Sequence, residues 1–297
     1  MSMSSNIKKK WDIDPSDAGR SVRDFLRGKG RFSRQLLKRV RMNGHIFIDE
    51  KEAEMWQPLK GASTLTILFP AEERGAIEPV EGPLAILYED EDILVLDKPS
   101  GIAVVPPYKK EPSIASHLIA YYEEIGHPCT VHIVTRLDTY TSGLMLVAKH
   151  AYSHMLLTRK AKLVDRFYQA LVEGLPEPEK GLIDAPIERA DDSIIRRTVD
   201  PEGKPSQTMY DVLETGGRVS KVAFQLLTGR THQIRVHMAH IGHPLVGDTL
   251  YGARQADKLA GQALHCYHLK LLHPWTGESM SFDSKAPSEW SSYMKEK

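Results

Sequence analysis

Val134-Thr135-Arg136-Leu137-Asp138-Thr139-Tyr140-Thr141-Ser142-Gly143-Leu144 runs directly into the apolar Met145-Leu146-Val147-Ala148. The pattern predicts a strand over His132–Leu137, a polar turn, and a second strand over Leu144–Ala148. Side chains two apart on a strand share a face, so Arg136 and Asp138 should point the same way. An Arg-x-Asp pair by itself is most often a surface or interdomain ion pair.

Upstream, Leu84–Tyr88 and Ile93–Leu96 read as a hairpin leading to the loop Asp97-Lys98-Pro99-Ser100-Gly101. Ser113–Ile125 reads as a helix with Ile114, Leu118, Tyr121, Tyr122 and Ile125 inward. Downstream, helices are expected over Ala151–Leu163 and Thr231–Ile241. Strands are expected over Phe167–Val172, Thr208–Leu213, Lys221–Leu227, Leu264–Leu272 and Ser279–Phe282. Strand-rich stretches with intermittent helices, and no regular βαβ alternation, predict an α+β fold with a mixed, mainly antiparallel central sheet.

The N-terminal part differs in charge. Residues 1–60 hold 14 Lys and Arg against 8 Asp and Glu, although the whole chain balances at 39 of each. Between Arg20 and Arg41, nine basic residues accompany one acid, Asp24. Val22, Phe25 and Leu26 fall at helical spacing, with Gly28 and Gly30 as stops. Ser33 reads as the N-cap of a helix over Arg34–Met42, closed by Asn43-Gly44. There Leu36, Leu37 and Val40 form the apolar stripe, while Arg34, Lys38 and Arg41 share another face. Such a face suits phosphates rather than base edges. His45–Asp49 and Ser63–Phe69 read as strands. The following AEERGAIEPVEGP, acidic and punctuated by Gly and Pro, reads as a linker. The expected division is therefore residues 1–72, a linker over 73–83, and 84–297.

With 41% hydrophobic and 26% charged residues, the 297-residue chain fits a globular protein of about two domains. No stretch approaches the ~18 apolar residues of a membrane helix, so no membrane partner is expected. MSMSSNIKKKWD lacks the apolar segment of a secretory signal. The two cysteines, Cys129 and Cys266, exclude a disulfide framework. A cytoplasmic protein is expected.

Chemistry gathers again at Arg166-Phe167-Tyr168 and at Thr228-Gly229-Arg230-Thr231-His232-Gln233-Ile234-Arg235-Val236-His237. With them go Lys98–Gly101, Gly242-His243-Pro244, Gly247-Asp248-x-x-Tyr251-Gly252, His265 and His273-Pro274. In this order and register, over residues 84–285, the chain resembles the RluA-type pseudouridine synthases, whose signature is His-Arg-Leu-Asp-x-x-Thr-Ser-Gly. SRQLLKRVRMNGHIFIDE resembles the S4 RNA-binding domain that many members carry at the N-terminus.

The resemblance implies a pseudouridine synthase fold with flanking helices, preceded by a small S4-like α/β domain. It also implies an enzyme that breaks the N1–C1′ bond of a uridine in RNA and rejoins the base through C5. Reactant and product are isomers, so no cofactor is expected. The family assigns the central carboxylate to Asp138, acting as a nucleophile or as a partner to an oxocarbenium-like or glycal species, its cationic partner to Arg235 and the base-stacking aromatic to Tyr168. Arg136 matches the arginine that fills the space left by the everted base. Arg230, His232 and Gln233 are expected to contact RNA, as are Arg34, Lys38 and Arg41 on the basic helix. A carboxylate in a dry pocket tends to be neutralised. A guanidinium ~4 Å away at an effective dielectric of about 20 opposes that by ~4 kcal/mol.

Two positions depart from the family pattern: Thr135 replaces its histidine, and Arg166 the lysine of its Lys-x-Tyr. His232, His237, His240 and His243 scatter around a helix rather than forming a ligand pair, so no metal site is expected. The substrate implied is RNA, foremost 23S large-subunit ribosomal RNA or its precursor. Two alternatives are a catalytically silent S4-type RNA-binding or ribosome-assembly factor, and an N-glycoside hydrolase. The first has no reason to retain Asp138, Tyr168 and Arg235. The second ordinarily needs two carboxylates, and no second acid stands near Asp138 in the sequence.

Overall fold

The computed structural model describes residues 7–295 except 74, 107, 109, 110, 128 and 160–162. The first elements are β1 (Lys8–Asp12), α1 (Val22–Gly28), α2 (Arg34–Asn43), β2 (His45–Ile48), β3 (Lys51–Glu52) and β4 (Thr64–Leu68). The strands form an antiparallel sheet in the order β1-β4-β2-β3. Ser21 caps α1 by accepting from the Asp24 amide, and Ser33 caps α2 by accepting from the Leu36 amide. Such caps each contribute about 1 kcal/mol. Val22, Phe25, Leu26, Leu36, Leu37 and Val40 are buried together, which leaves Arg34, Lys38 and Arg41 exposed.

Next come β5 (Ile86–Glu89), β6 (Ile93–Lys98), α3 (Ile114–Glu124), β7 (His132–Ile133), β8 (Ser142–Ala148), α4 (Ala151–Thr158), β9 (Val164–Glu173) and β10 (Lys180–Asp184). They are followed by β11 (Ile187–Arg189), β12 (Arg197–Val199), β13 (Gln207–Thr215), β14 (Val219–Leu226), α5 (Gln233–His240), β15 (Leu264–Leu272), β16 (Ser279–Asp283) and α6 (Trp290–Met294). The main sheet runs β10-β13-β14-β9-β15-β8-β6-β5, with β16 beside β15 and β7 beside β8. Its pairings are antiparallel except β15 with β8, which is parallel. This is the mixed, mainly antiparallel α+β architecture expected. All seven residues of β8 are buried. At the parallel crossing Gly143 has φ +105°, and a Cβ there would lie 2.3 Å from the Cys266 carbonyl oxygen. Glycine is required at that point.

Several local expectations need correction. Arg136 and Asp138 do not lie on a strand, because β7 ends at Ile133. The Thr135 amide and hydroxyl both bond the Leu146 backbone, at 3.1 and 2.8 Å, and draw the chain out of the ladder. Thr135 and Leu137 are buried, while Arg136 is exposed and Asp138 half-buried, so the alternation outlives the strand. The fourth helix stops at Thr158 rather than Leu163, and part of the expected remainder falls at 160–162, outside the described residues. Ile125 is 45% exposed just past the end of α3. The fifth helix starts at Gln233 because His232 adopts a left-handed φ of 58°.

The two halves meet through a buried polar knot. Lys9 Nζ donates to Asp92 Oδ2 at 2.5 Å, and Ser153 Oγ donates to Oδ1 at 2.5 Å. His150 Nε2 lies 3.1 Å from the same Oδ1. Burial alone would raise the Asp92 carboxyl, but these three partners outweigh it and hold it well below the carboxylate range. Tyr152 and Leu156 of α4 pack into the apolar cluster around α1 and α2, and the Tyr152 hydroxyl donates to the Gly30 carbonyl at 2.8 Å. The segment between the halves is tied down as well. Glu72 accepts from the Ala151 amide at 2.8 Å and lies 2.5 Å from His132 Nε2. The His117 ring meets the Val80 carbonyl at 2.8 Å.

Candidate active site

A cleft of about 1740 Å³ opens over the main sheet. Asp138 enters it from the loop after β7, Tyr168 from β9, Arg235 from the first turn of α5, and Asp248 from the loop beyond. Arg235 Nη1 donates to Asp138 Oδ2 at 3.1 Å across 97 residues of sequence. Its other edge forms a bidentate pair with Asp248, Nε–Oδ2 at 2.7 Å and Nη2–Oδ1 at 2.8 Å. Burial works against the Arg235 charge, yet the two carboxylates prevail and raise its pKa. The Asp138 side chain is 27% exposed and the Asp248 side chain 1%. One carboxylate therefore faces the cleft while the other anchors the cation.

Tyr251 backs this trio. Its ring lies 5.0 Å from the Arg235 guanidinium carbon, and its hydroxyl accepts from the Arg197 amide at 2.9 Å. The hydroxyl is also 2.9 Å from His232 Nδ1. A phenol that accepts from Arg197 and donates to Nδ1 leaves the His232 proton on Nε2, 3.8 Å from Asp138 Oδ2. Burial lowers the His232 pKa more than Asp138 raises it, so the ring is neutral.

Lys98, fully buried at the end of β6, donates to the carbonyls of Pro99, Ile102 and Thr139 at 2.8–2.9 Å. It thereby rivets one loop to the segment carrying Asp138. Burial lowers its pKa to about 8. Tyr168 lies in the cleft at only 4% exposure, and burial pushes its phenol far up. The Arg166 guanidinium passes so close to Gly229 that a Cβ there would meet Nη2 at 2.8 Å.

The cleft thus brings together Asp138, Arg235, Tyr168, Arg136, Arg230, His232 and Gln233. Arg34, Lys38 and Arg41 do not line it. The expectation for Gln233 as an RNA contact needs correction. It is 2% exposed, its Oε1 accepts from Thr228 and Arg230, and its Nε2 donates to Gln207 and Thr208. It fastens the start of α5 to β13. Thr135, where the family has histidine, is likewise turned to the backbone of β8 and 4% exposed. His237 bonds Thr208 and the Ala185 carbonyl, and His243 the Glu173 carbonyl. Asp248 was legible only as a motif position: a second acid does fold in beside Asp138, but the bidentate arginine occupies it.

The cleft in the mixed sheet thus holds a half-buried carboxylate paired with a braced guanidinium and, in the same lining, a buried tyrosine. The RNA pseudouridylate synthase family model matches residues 92–240. The chain is 43% identical over 283 residues to YjbO of Bacillus subtilis strain 168, named an RNA pseudouridine synthase, covering 93% of this chain and 98% of that one. It is 35% identical over 268 residues to the ribosomal large subunit pseudouridine synthase D of Escherichia coli K12, covering 85% and 80%. The structure of human RNA pseudouridylate synthase domain containing 1 superposes with a TM-score of 0.59 at 28% identity, covering 72% of this chain and 86% of that one. This chain belongs to the RluA-type RNA pseudouridine synthases and is an isomerase. Among the described residues no helix is long and apolar enough to cross a membrane.

Proposed function

We propose that this enzyme converts specific uridines of large-subunit ribosomal RNA to pseudouridine, with Asp138 as nucleophile on an everted nucleotide. The observation that carries the reading is the 3.1 Å contact between Asp138 and an Arg235 already held by Asp248. It presents a carboxylate with its countercharge in place and one side open to the cleft. The reaction exchanges the N1–C1′ bond for a C5–C1′ bond, with loss of the C5 proton and protonation of N1, so nothing else is consumed. Tyr168 supports the base at the cleft floor, and the exposed Arg136 takes the space the base vacates. Arg230, exposed at the rim, meets the backbone, while the neutral His232 ring flanks Asp138. The unit over residues 1–72 acts as an S4-like RNA-binding domain whose contact face is Arg34, Lys38 and Arg41. The ribosomal target is supported by the name of the E. coli relative.

The test is to map pseudouridines in ribosomal RNA by carbodiimide-dependent reverse-transcription stops, in cells with and without the gene. At least one large-subunit stop should vanish with the gene. A full set of stops in its absence would move the target to another RNA.

A further inference from the structure

The hairpin of β11 and β12 stands apart from the main sheet and forms one wall of the cleft. Its register places Arg189 directly opposite Arg197. Like charges in directly opposed cross-strand positions destabilise a pair of strands, and this hairpin has only three paired residues. Among the described residues neither guanidinium has a carboxylate partner, and the shielded Arg197 Nη1 has no hydrogen-bond partner at all. The neighbouring Arg196 is the contrast: its Nη2 donates to both oxygens of Asp192, at 2.7 and 2.6 Å, and the pair fixes the hairpin tip. Arg189 and Arg197 both line the cleft, as do Lys204, which lies beside β11, and Arg230. The Arg197 amide is bonded to Tyr251, the residue that backs Arg235 and His232.

We propose that Arg189 and Arg197 are a phosphate clamp for the RNA backbone flanking the everted nucleotide. The proposal rests on the cleft being the site of uridine isomerisation. An anion between the two guanidiniums would relieve their repulsion and satisfy the orphaned Nη1, and a phosphodiester supplies acceptors that arginine matches two at a time. The backbone of Arg197 is tied to the Tyr251 hydroxyl, which also meets the His232 ring beside Asp138, so the clamp is anchored on the Asp138 side of the cleft.

The experiment uses the full chain and a fluorescein-labelled oligouridylate, with binding measured by anisotropy across a potassium chloride series. The Arg189→Met, Arg197→Met double variant should lower the slope of log K against log salt by ~0.7, the value for one phosphate contact on a single strand, and Arg197→Met alone by part of that. Arg197→Lys should restore most of the slope. Because a repulsive pair is removed, the melting temperature should hold or rise. An unchanged slope in the double variant overturns the clamp, and so does a loss of slope accompanied by a fall in melting temperature. Release of tritium from 5-tritiated uridine in ribosomal RNA is followed in parallel. Wild-type protein that releases none would count against the proposed function, while the slopes would still decide the clamp.

Discussion

Asp248 grips Arg235 along one whole edge of its guanidinium, at 2.7 and 2.8 Å, and leaves Nη1 as the group that meets Asp138. The cation is therefore shared between two carboxylates, one 1% exposed and the other 27% exposed. The buried acid sets the direction of the guanidinium, and so where charge is offered to the reacting one. Arginine suits this post because its planar fork can bind two acids on different edges.

Asp248→Asn should retain the fold but let the guanidinium swing, and a displacement of ~1 Å can lower a rate about 100-fold. The expected result is a kcat down by that order with KM changed only a few-fold, read from single-turnover tritium release. Asp248→Ala, which removes one partner of a buried pair, should cost about 3–5 kcal/mol in urea unfolding.

Asp138→Asn preserves the shape of the side chain and removes the nucleophile. Pseudouridine formation should fall below detection while RNA affinity stays within a few-fold. Residual turnover above background would take Asp138 out of its role. Arg235→Met should slow the chemical step far more than it weakens binding, and equal losses in both would make it a plain RNA contact.

The sequence carried the strand-dominated fold because β8 and β9 are dense apolar runs, and it carried the pairing of Asp138 with Arg235 through ordered motifs. Strands β10, β11 and β12 escaped notice because segments such as Lys180-Gly181-Leu182-Ile183-Asp184 are short and weakly alternating. Arg136 and Asp138 read as strand residues because the inside–outside alternation of residues 135–138 is real. What breaks the strand is Thr135 bonding Leu146, a tertiary contact without a local signature. The role of Asp248 was hidden for the same reason, since its partner lies 13 residues away across a turn.

Gly143→Ala places a methyl group within 2.3 Å of the Cys266 carbonyl oxygen at a backbone φ of +105°. The methyl carbon is fixed directly to one strand's backbone and the oxygen belongs to the next strand's, so neither can step aside. A loss of about 3 kcal/mol or more is expected, seen as a lower urea midpoint or as insoluble protein. An alanine variant with wild-type stability would mean that the parallel pairing of β8 and β15 is wrong.

Asp92→Asn should strip the carboxylate from the knot that joins the halves and leave the buried Lys9 with only the exposed Glu91, 3.9 Å away, as a counter-ion. The expected cost near pH 7 is about 3–5 kcal/mol. The folded-state pKa of Asp92 is depressed, so its stabilisation is complete above the unfolded value of ~3.9 and fades as pH falls through the lower folded value. The stability gap between wild type and variant should therefore be flat from pH 7 to about 5 and narrow below about 4. A gap that widened in acid would reverse the assigned sign.

Arg34, Lys38 and Arg41 project from α2 into solvent while the opposite side of the helix is buried. Replacing all three with glutamine removes charge without touching the core or the Ser33 cap, so the melting temperature should shift by no more than about 3 °C, as for three surface changes each within about ±0.5 kcal/mol. RNA affinity should fall, and the salt slope should flatten by ~0.7 for each phosphate released on single strands or ~0.9 on duplex. This face lies on the N-terminal unit rather than in the cleft, so turnover of bound RNA in a single-turnover assay should be nearly unchanged while the concentration needed for half-saturation rises. If turnover of bound RNA fell instead, at constant affinity, the basic helix would be orienting the nucleotide and not collecting the substrate.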